Sequence, residues 1–100
     1  MKDLIERSYK AIIERGLINT YTRPNDFLDK MNEELWEVFN VVYGPDNIAP
    51  YLDERDYIEE VTDLATVCIM QIHHLGYDFI EEFKKVVEKN EAIAKKTLSK

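Results

Sequence analysis

Apolar residues recur at spacings of three and four along most of the chain, and this repeat limits what the chain can fold into. The spacing places apolar side chains on one face of an α-helix, whereas a half-buried strand alternates every second residue. The three glycines and three prolines fall between the repeats, where they end helices. We therefore predict an all-α fold of four helices, since strand signals are weak throughout.

The first half of the chain contains two predicted helices. The first covers residues 2–15, and Gly16 ends it. Residues 17–24, "LINTYTRP", form the predicted loop. Asn25 or Asp26 is the predicted cap of the second helix, because a short polar side chain can accept a hydrogen bond from the first turn. That helix is predicted to stop at "YGPDN", where a glycine and a proline are adjacent.

The second half of the chain contains the other two predicted helices. Residues 44–52 are a predicted connection, and Asp53 is the predicted cap of a third helix that runs to about Leu75 before Gly76. The fourth helix is predicted to be capped by Asp78, with Glu81 in the reciprocal position of a capping box. We expect residues 1–100 to form one domain, whose tail, about 93–100, frays.

The third helix is unusually apolar. Its segment "LATVCIM", residues 64–70, is apolar nearly all round, and such a helix is buried on most sides. Three other helices of a small bundle hardly cover it, so we expect a homodimer or a tetramer formed through this helix. Cys68 lies inside the segment and is interpreted as a small core residue.

Charge and cysteine content exclude several functions. A net charge of −7 argues against sequence-independent nucleic-acid binding and against a polybasic membrane contact. No apolar run approaches the roughly 20 residues that a membrane span requires, and the charged start "MKDLIERSYK" is not a secretory signal. One cysteine allows no internal disulfide, which fits a reducing, cytoplasmic setting.

Two acidic clusters, "EELWE" at 33–37 and "EEVTD" at 59–63, lie on the second and third predicted helices. Residues three apart on a helix point about 60° from one another, so each cluster presents a pair of acids on one face. Glu37 and Glu34 lie 11 and 14 residues before Ile48. Glu60 and Asp63 lie 12 and 15 residues after it. In an antiparallel hairpin centred there, both pairs reach the same level; the four acids are Glu34, Glu37, Glu60 and Asp63.

Four converging carboxylates indicate a cation. Either some of them protonate or a positive ion lies among them. Oxygen ligands without imidazole or thiolate select Mg²⁺ or Mn²⁺, with Ca²⁺ less favoured. The alternative is a solvated acidic face, which is the usual state of a single acidic pair on a helix.

The ordered set of motifs resembles a known family. The pattern E-E-x-x-E followed by E-x-x-D is similar to the signature of the MazG-like all-α nucleoside triphosphate pyrophosphohydrolases. The segments "TRPNDFLDKMNEELWE", "DLATVCIMQIHHLGYDF" and "VEKNEA" also resemble corresponding parts of that family. The resemblance covers roughly residues 20–92 and implies a four-helix MazG-like bundle.

This resemblance implies hydrolysis of a nucleoside triphosphate between its α- and β-phosphates, to a monophosphate and pyrophosphate, as house-cleaning of the nucleotide pool. It implies Glu34, Glu37, Glu60 and Asp63 as Mg²⁺ ligands. Glu33 is then a candidate to hold a water or a second metal. Glu33 and Glu37 are the candidate catalytic residues, because a glutamate can take the proton from the attacking water.

The substrate contacts that the resemblance implies are less complete. Asn90 matches the family pattern, and Lys85 and Lys89 are candidate phosphate contacts. Many members have a lysine where this chain has Val86 and an arginine where it has Ile93. The metal site is therefore the better supported part of the resemblance.

Other side chains have two interpretations. Lys30, one turn before Glu34, either contacts a phosphate or forms an i,i+4 ion pair. Phe27 and Trp36 either stack on a base or lie in the core or an interface. His74 lies about 21 Å along the helix axis from Glu60, so neither it nor His73 is interpreted as a ligand.

Two other functions remain open at the level of sequence. The chain is a non-catalytic regulatory or interaction module of the same fold, or it hydrolyses another pyrophosphate compound such as phosphoribosyl-ATP. The altered positions Val86 and Ile93 keep the first of these open.

Overall fold

The computed structural model describes residues 1–44 and 53–98. This part of the chain contains four α-helices and no strand, which confirms the predicted all-α class. In chain order they are α1 (Lys2–Glu14), α2 (Pro24–Tyr43), α3 (Glu54–His74) and α4 (Phe79–Leu98). Over those same residues, no helix combines the length and apolarity that crossing a membrane requires.

The start of α2 differs from the sequence prediction. Its N-cap is Arg23, and Pro24 is the first helical residue, so the prediction of Asn25 or Asp26 as the cap is wrong. Proline suits the first helical position because its φ is already helical and the N–H that it lacks would have had no partner in the helix. Asp26 instead lies in the first turn, where its carboxylate accepts a hydrogen bond from the Arg23 N–H at 2.9 Å.

The ends of α3 and the start of α4 agree better with the sequence prediction. Asp53 caps α3, as predicted, and accepts hydrogen bonds from the backbone N–H groups of Arg55 and Asp56. Gly76 follows α3 with a φ of 90°, a conformation that glycine adopts without strain. The Asp78 carboxylate accepts from the Ile80 N–H at 3.3 Å.

The predicted connection at 44–52 lies, apart from Gly44, outside the described residues. α4 continues to Leu98, through most of the tail in which fraying was predicted.

Helices α2 and α3 form the predicted antiparallel pair. The Phe27 and His74 rings are 5.4 Å apart, and the Gln71 Nε2 donates to the Met31 Sδ at 3.5 Å. Later residues of α2 thus meet earlier residues of α3. α1 packs on α3 as well.

The core of this molecule is small. Among the residues that the structure describes, the buried ones are Ile5, Ile18, Phe27 and Met70, one each from α1, the loop after it, α2 and α3. α4 contributes no buried residue, although Phe79 at its start packs against the core. Cys68 is half-buried. Most large apolar side chains of α4 and several of α2 are exposed.

Candidate metal centre and adjoining cavity

Three of the four predicted acids come together between α2 and α3. Glu34, Glu60 and Asp63 each place a carboxylate oxygen within 4.8 Å of the other two. Glu34 and Glu60 are half-buried, whereas Asp63 is exposed. The antiparallel pairing brings the acids of α2 and α3 to one level, as the spacing from Ile48 predicted. We call these three residues the acidic group.

Glu37 lies beside the acidic group rather than in it. The predicted set of four ligands is therefore three convergent carboxylates and one neighbour. Glu34 is half-buried toward α3, and Glu37 is turned about 60° further round α2, which leaves it exposed. Its negative charge still acts on Glu60.

The acidic group is electrostatically unfavourable in the absence of a cation. Partial burial, followed by the negative charges of Asp63, Glu37, Glu34 and Glu59, raises the pKa of Glu60. Both causes disfavour the ionised form of a carboxyl group. A positive ion placed among the three oxygens would reverse this effect, because it favours the charged form of all three side chains.

Lys30 supplies a positive charge at the edge of the group. Its Nζ lies 3.2 Å from the Glu33 Oε2 and 3.8 Å from the Glu34 Oε1. Both contacts join side chains on one face of α2, and exposed pairs of this kind stabilise a helix by only about 0.3–0.5 kcal/mol. Lys30 therefore forms the ion pair that was one of its two predicted roles, and Glu33 is already engaged.

The donor set fits a hard divalent ion. All three convergent atoms are carboxylate oxygens, and Mg²⁺ is commonly bound through one or two carboxylates together with water and substrate phosphates. Exposed Asp63 leaves one side of the group open to such ligands. Groups of acids also occur on protein surfaces without a metal, so the geometry permits an ion without requiring one.

A cavity of about 420 Å³ adjoins the acidic group. Its size is within the range of small-molecule sites. One wall is acidic and includes Glu34 and Asp63, whereas the floor is apolar and includes the core residues Phe27 and Met70. Arg15, at the end of α1, and Lys30 are its basic lining residues. The cavity therefore combines an apolar surface, two cations and a carboxylate cluster.

His74 holds the wall of this cavity together. Its Nε2 lies 2.8 Å from the Thr22 carbonyl oxygen, and its Nδ1 lies 2.6 Å from the Tyr9 hydroxyl. A carbonyl oxygen only accepts, so Nε2 donates; in the neutral ring Nδ1 then accepts from the hydroxyl. We call this the His74 clamp. It joins α1, α3 and the loop before α2, and Thr22 and Phe27 beside it line the cavity.

The substrate residues predicted on α4 lie elsewhere. Lys85 forms an exposed ion pair with Glu82 at 3.1 Å, and Lys89 and Asn90 are exposed. The cavity wall, as far as the described residues define it, includes none of α4. The structure thus brings the acidic group and Lys30 together, with Glu37 beside them. It leaves Lys85, Lys89 and Asn90 outside the site.

Sequence reasoning missed Arg15 and the His74 clamp. Arg15 follows a helix as an isolated cation, and no local pattern sets it apart from other exposed arginines. The clamp joins residues 65 and 52 positions apart, which no local period reveals. The available signal was that Tyr9 and His74 each lie on the apolar side of their helix.

Comparison with protein-family models, with curated proteins and with solved structures finds no match to this chain. The resemblance to the MazG-like family therefore rests on the motifs quoted from the sequence.

Proposed function

We propose that this protein is a Mg²⁺-dependent nucleoside triphosphate pyrophosphohydrolase with a MazG-like four-helix fold. The observation that carries the proposal is the convergence of Glu34, Glu60 and Asp63 from two antiparallel helices beside a cavity large enough for part of a nucleotide. The alternative is a solvated acidic face, which predicts no Mg²⁺ binding by these three residues.

In this proposal Glu34, Glu60 and Asp63 hold Mg²⁺, with Mn²⁺ as a substitute. When bound, the ion screens the triphosphate from the carboxylates, polarises a phosphoryl oxygen and lowers the pKa of bound water. The apolar floor of the cavity takes the nucleoside part of the substrate, because a base is flat and largely apolar on its faces.

The remaining side chains have distinct roles. Arg15 and Lys30 lie on the cavity wall, where each can bind an anionic oxygen of the substrate. Glu33 and Glu37 are the candidates to accept the proton of the attacking water. Glu33 lines the cavity and pairs with Lys30 at 3.2 Å, whereas Glu37 lies beside the acidic group and is not among the described lining residues. Water adds to the α-phosphorus, the bond to the β-phosphate bridging oxygen breaks, and pyrophosphate leaves.

The test is release of pyrophosphate from a panel of nucleoside triphosphates, with and without Mg²⁺. Pyrophosphate, rather than phosphate, identifies cleavage between the α- and β-phosphates. Glu60→Gln should abolish release, whereas Glu59→Gln, the same change on the adjacent residue outside the acidic group, should retain most of it. Loss in both variants, or in neither, would contradict the assignment.

One observation favours a second candidate, a non-catalytic regulatory module of the same fold. The residues that the resemblance implies for substrate binding, Lys85, Lys89 and Asn90, do not line the cavity. If the protein is such a module, calorimetry should detect Mg²⁺ binding to the wild type and none to Glu60→Gln. The wild type should release no pyrophosphate. Including phosphoribosyl-ATP in the panel tests the related hydrolysis of another pyrophosphate compound.

Self-association as a homodimer or a tetramer is a further part of this proposal. It is supported by the small core and by the exposed apolar side chains of the chain.

A further inference from the structure

The single chain exposes far more surface than a compact monomer. Its accessible surface is 8267 Å², whereas a compact monomer of this size is expected to expose about 5,900 Å². Its radius of gyration is 16.9 Å, against about 13 Å for a compact 100-residue domain. The excess, about 2,400 Å², lies in the range that each protomer buries in an obligate homodimer, about 1,000–2,500 Å².

One part of the excess lies on α4. This helix has no buried residue, yet it carries large apolar side chains, and Phe83, Val86 and Ile93 are each more than half exposed. Phe79, Phe83 and Val86 are spaced by four and three, and Ile93 follows Val86 by seven, which is the heptad spacing of a helix that packs along a partner; the intervening position is the polar Asn90. We call the apolar side of α4 the α4 stripe; its residues are Phe79, Ile80, Phe83, Val86, Val87 and Ile93.

The α4 stripe is wider than the seam of a two-stranded coiled coil. Ile80 and Val87 extend it by one more heptad position, and in the first heptad it includes Phe79, Ile80 and Phe83, three of seven residues. Such a face is typical of a helix that packs onto a bundle rather than onto one isolated helix. The stripe therefore needs a partner surface wider than a two-stranded seam, which large side chains on a helix of another bundle can provide.

A second exposed surface lies on α2. Trp36, Phe39 and Tyr43 form a row of contacting rings, with centroids 5.2 and 4.7 Å apart. We call it the aromatic row. Trp36 is 62% exposed and lies two residues, or about 200°, round the helix from Glu34. The aromatic row is thus on the opposite side of α2 from the acidic group, on the outer surface of the α2–α3 pair.

Charge indicates which of these surfaces meet. α2 carries five carboxylates and one lysine, a net charge of −4. α4 carries four carboxylates and five lysines, a net charge of +1. Packing α4 on α2 of another copy is electrostatically favourable, whereas packing α2 on α2 sets like charges together.

We propose that two copies of this chain form a two-fold symmetric dimer in which the α4 stripe of each copy packs on the aromatic row of the other. A two-fold axis makes this contact twice with the same residues, so both exposed surfaces of both copies are covered. The interface is on α2 and α4, whereas the sequence alone placed it on α3. The cavity and the acidic group stay open to solvent.

Sedimentation of the full-length chain at micromolar concentration tests the dimer. Phe83→Glu and Trp36→Glu change one surface each, and each should raise the dissociation constant at least about 100-fold, because the loss occurs twice and one buried hot spot is worth about tenfold or more. Ala92→Glu is the matched control, since residue 92 is nine positions, or about 180°, from residue 83. A monomeric wild-type chain, or equal weakening by Ala92→Glu, overturns the proposal.

Crosslinking tests the pairing without destabilising the chain. A photoreactive benzoyl-phenylalanine replaces Phe83, and the variant is mixed with ¹⁵N-labelled wild-type chain, so that crosslinks between copies are recognised by mass. Crosslinks should fall in α2, between residues 31 and 43, of the labelled copy. Crosslinks confined to α3 or α4 of the labelled copy overturn the proposed pairing. Neither readout depends on catalysis, so the result stands apart from the proposed enzyme activity.

Discussion

Tyr9→Phe removes one hydroxyl group and tests how α1 is held against α3. The Tyr9 hydroxyl donates to the His74 Nδ1 at 2.6 Å, and both groups are half-buried. The substitution keeps the ring, and with it the edge-to-face contact with His73 at 4.6 Å. The change is therefore confined to one hydrogen bond of the His74 clamp.

The expected loss in the free energy of unfolding depends on whether another partner can replace the Tyr9 hydroxyl at the His74 Nδ1. A neutral intramolecular hydrogen bond contributes about 0.5–1.5 kcal/mol net, and a buried acceptor left without a partner adds to the loss. The His74 Nδ1 is only half-buried, so water can partly replace the hydroxyl. We expect the free energy of unfolding to fall by about 1.5 kcal/mol, which for a domain of this size lowers Tm by roughly 6–12 °C.

Far-UV circular dichroism during urea and thermal unfolding measures this change. All samples need one protein concentration, because self-association makes Tm depend on concentration. Tyr21→Phe is the matched control: Tyr21 is 86% exposed, and its variant should stay within about 0.5 kcal/mol of wild type. If Tyr9→Phe loses no more than Tyr21→Phe, the clamp does not stabilise the fold.

A double-mutant cycle separates the pair from its surroundings. His74→Ala removes both hydrogen bonds of the ring and its contact with Phe27, so it should cost more than Tyr9→Phe. The double variant should lose less than the sum of the two single losses, by about 1 kcal/mol. Strict additivity would mean that the 2.6 Å contact carries no coupling energy.

Three further substitutions test the core, a cap and the acidic group. Met70→Ala, at a core position 2% exposed, should lower the free energy of unfolding by about 3 kcal/mol in urea unfolding, and a loss below 1 kcal/mol would contradict its core position. Asp53→Ala should lower it by about 1 kcal/mol, because two N–H groups of α3 lose their acceptor; Glu54→Ala is the control and should change it less. Glu60→Gln should raise the Tm of the metal-free protein, because burial and four neighbouring negative charges raise the pKa of Glu60. It should also shrink the Tm increase on adding Mg²⁺, measured against NaCl at equal ionic strength, and an unchanged Mg²⁺ response would exclude Glu60 as a ligand.

The helices and the acidic group could be predicted because both depend on local periods. The 3.6-residue repeat and the caps set the helices, and equal distances from a turn bring acids on two antiparallel helices to one level. Glu37 shows the limit of this reasoning. The sequence gives its angle from Glu34, about 60°, but which of the two faces α3 depends on how α2 is rotated in the fold.

Tertiary packing determined what the sequence could not predict. His74 lies about 21 Å from Glu60 along α3, and on that distance the sequence predicts no ligand role for it. It gave no indication of a hydrogen-bond role, because Tyr9 and Thr22 reach His74 only when α1 and the following loop pack on α3. Likewise, the apolar period of α4 predicts that one of its faces is covered, but it does not predict that, over residues 1–44 and 53–98, most of that face stays exposed.

Stability and ligand binding in this molecule depend on the same residues. Phe27 and Met70 are two of the four buried core residues in the described part of the chain and also line the cavity, and the His74 clamp holds Thr22 of the cavity wall. A ligand seated on the cavity floor would bury apolar surface that the single chain leaves accessible, and a protein that binds ligand only when folded gains stability from it. The acidic group acts in the opposite direction until a cation binds, since its mutual repulsion opposes the α2–α3 contact. Filling the cavity and neutralising the acids should therefore both strengthen the α2–α3 contact, because each acts where those two helices meet.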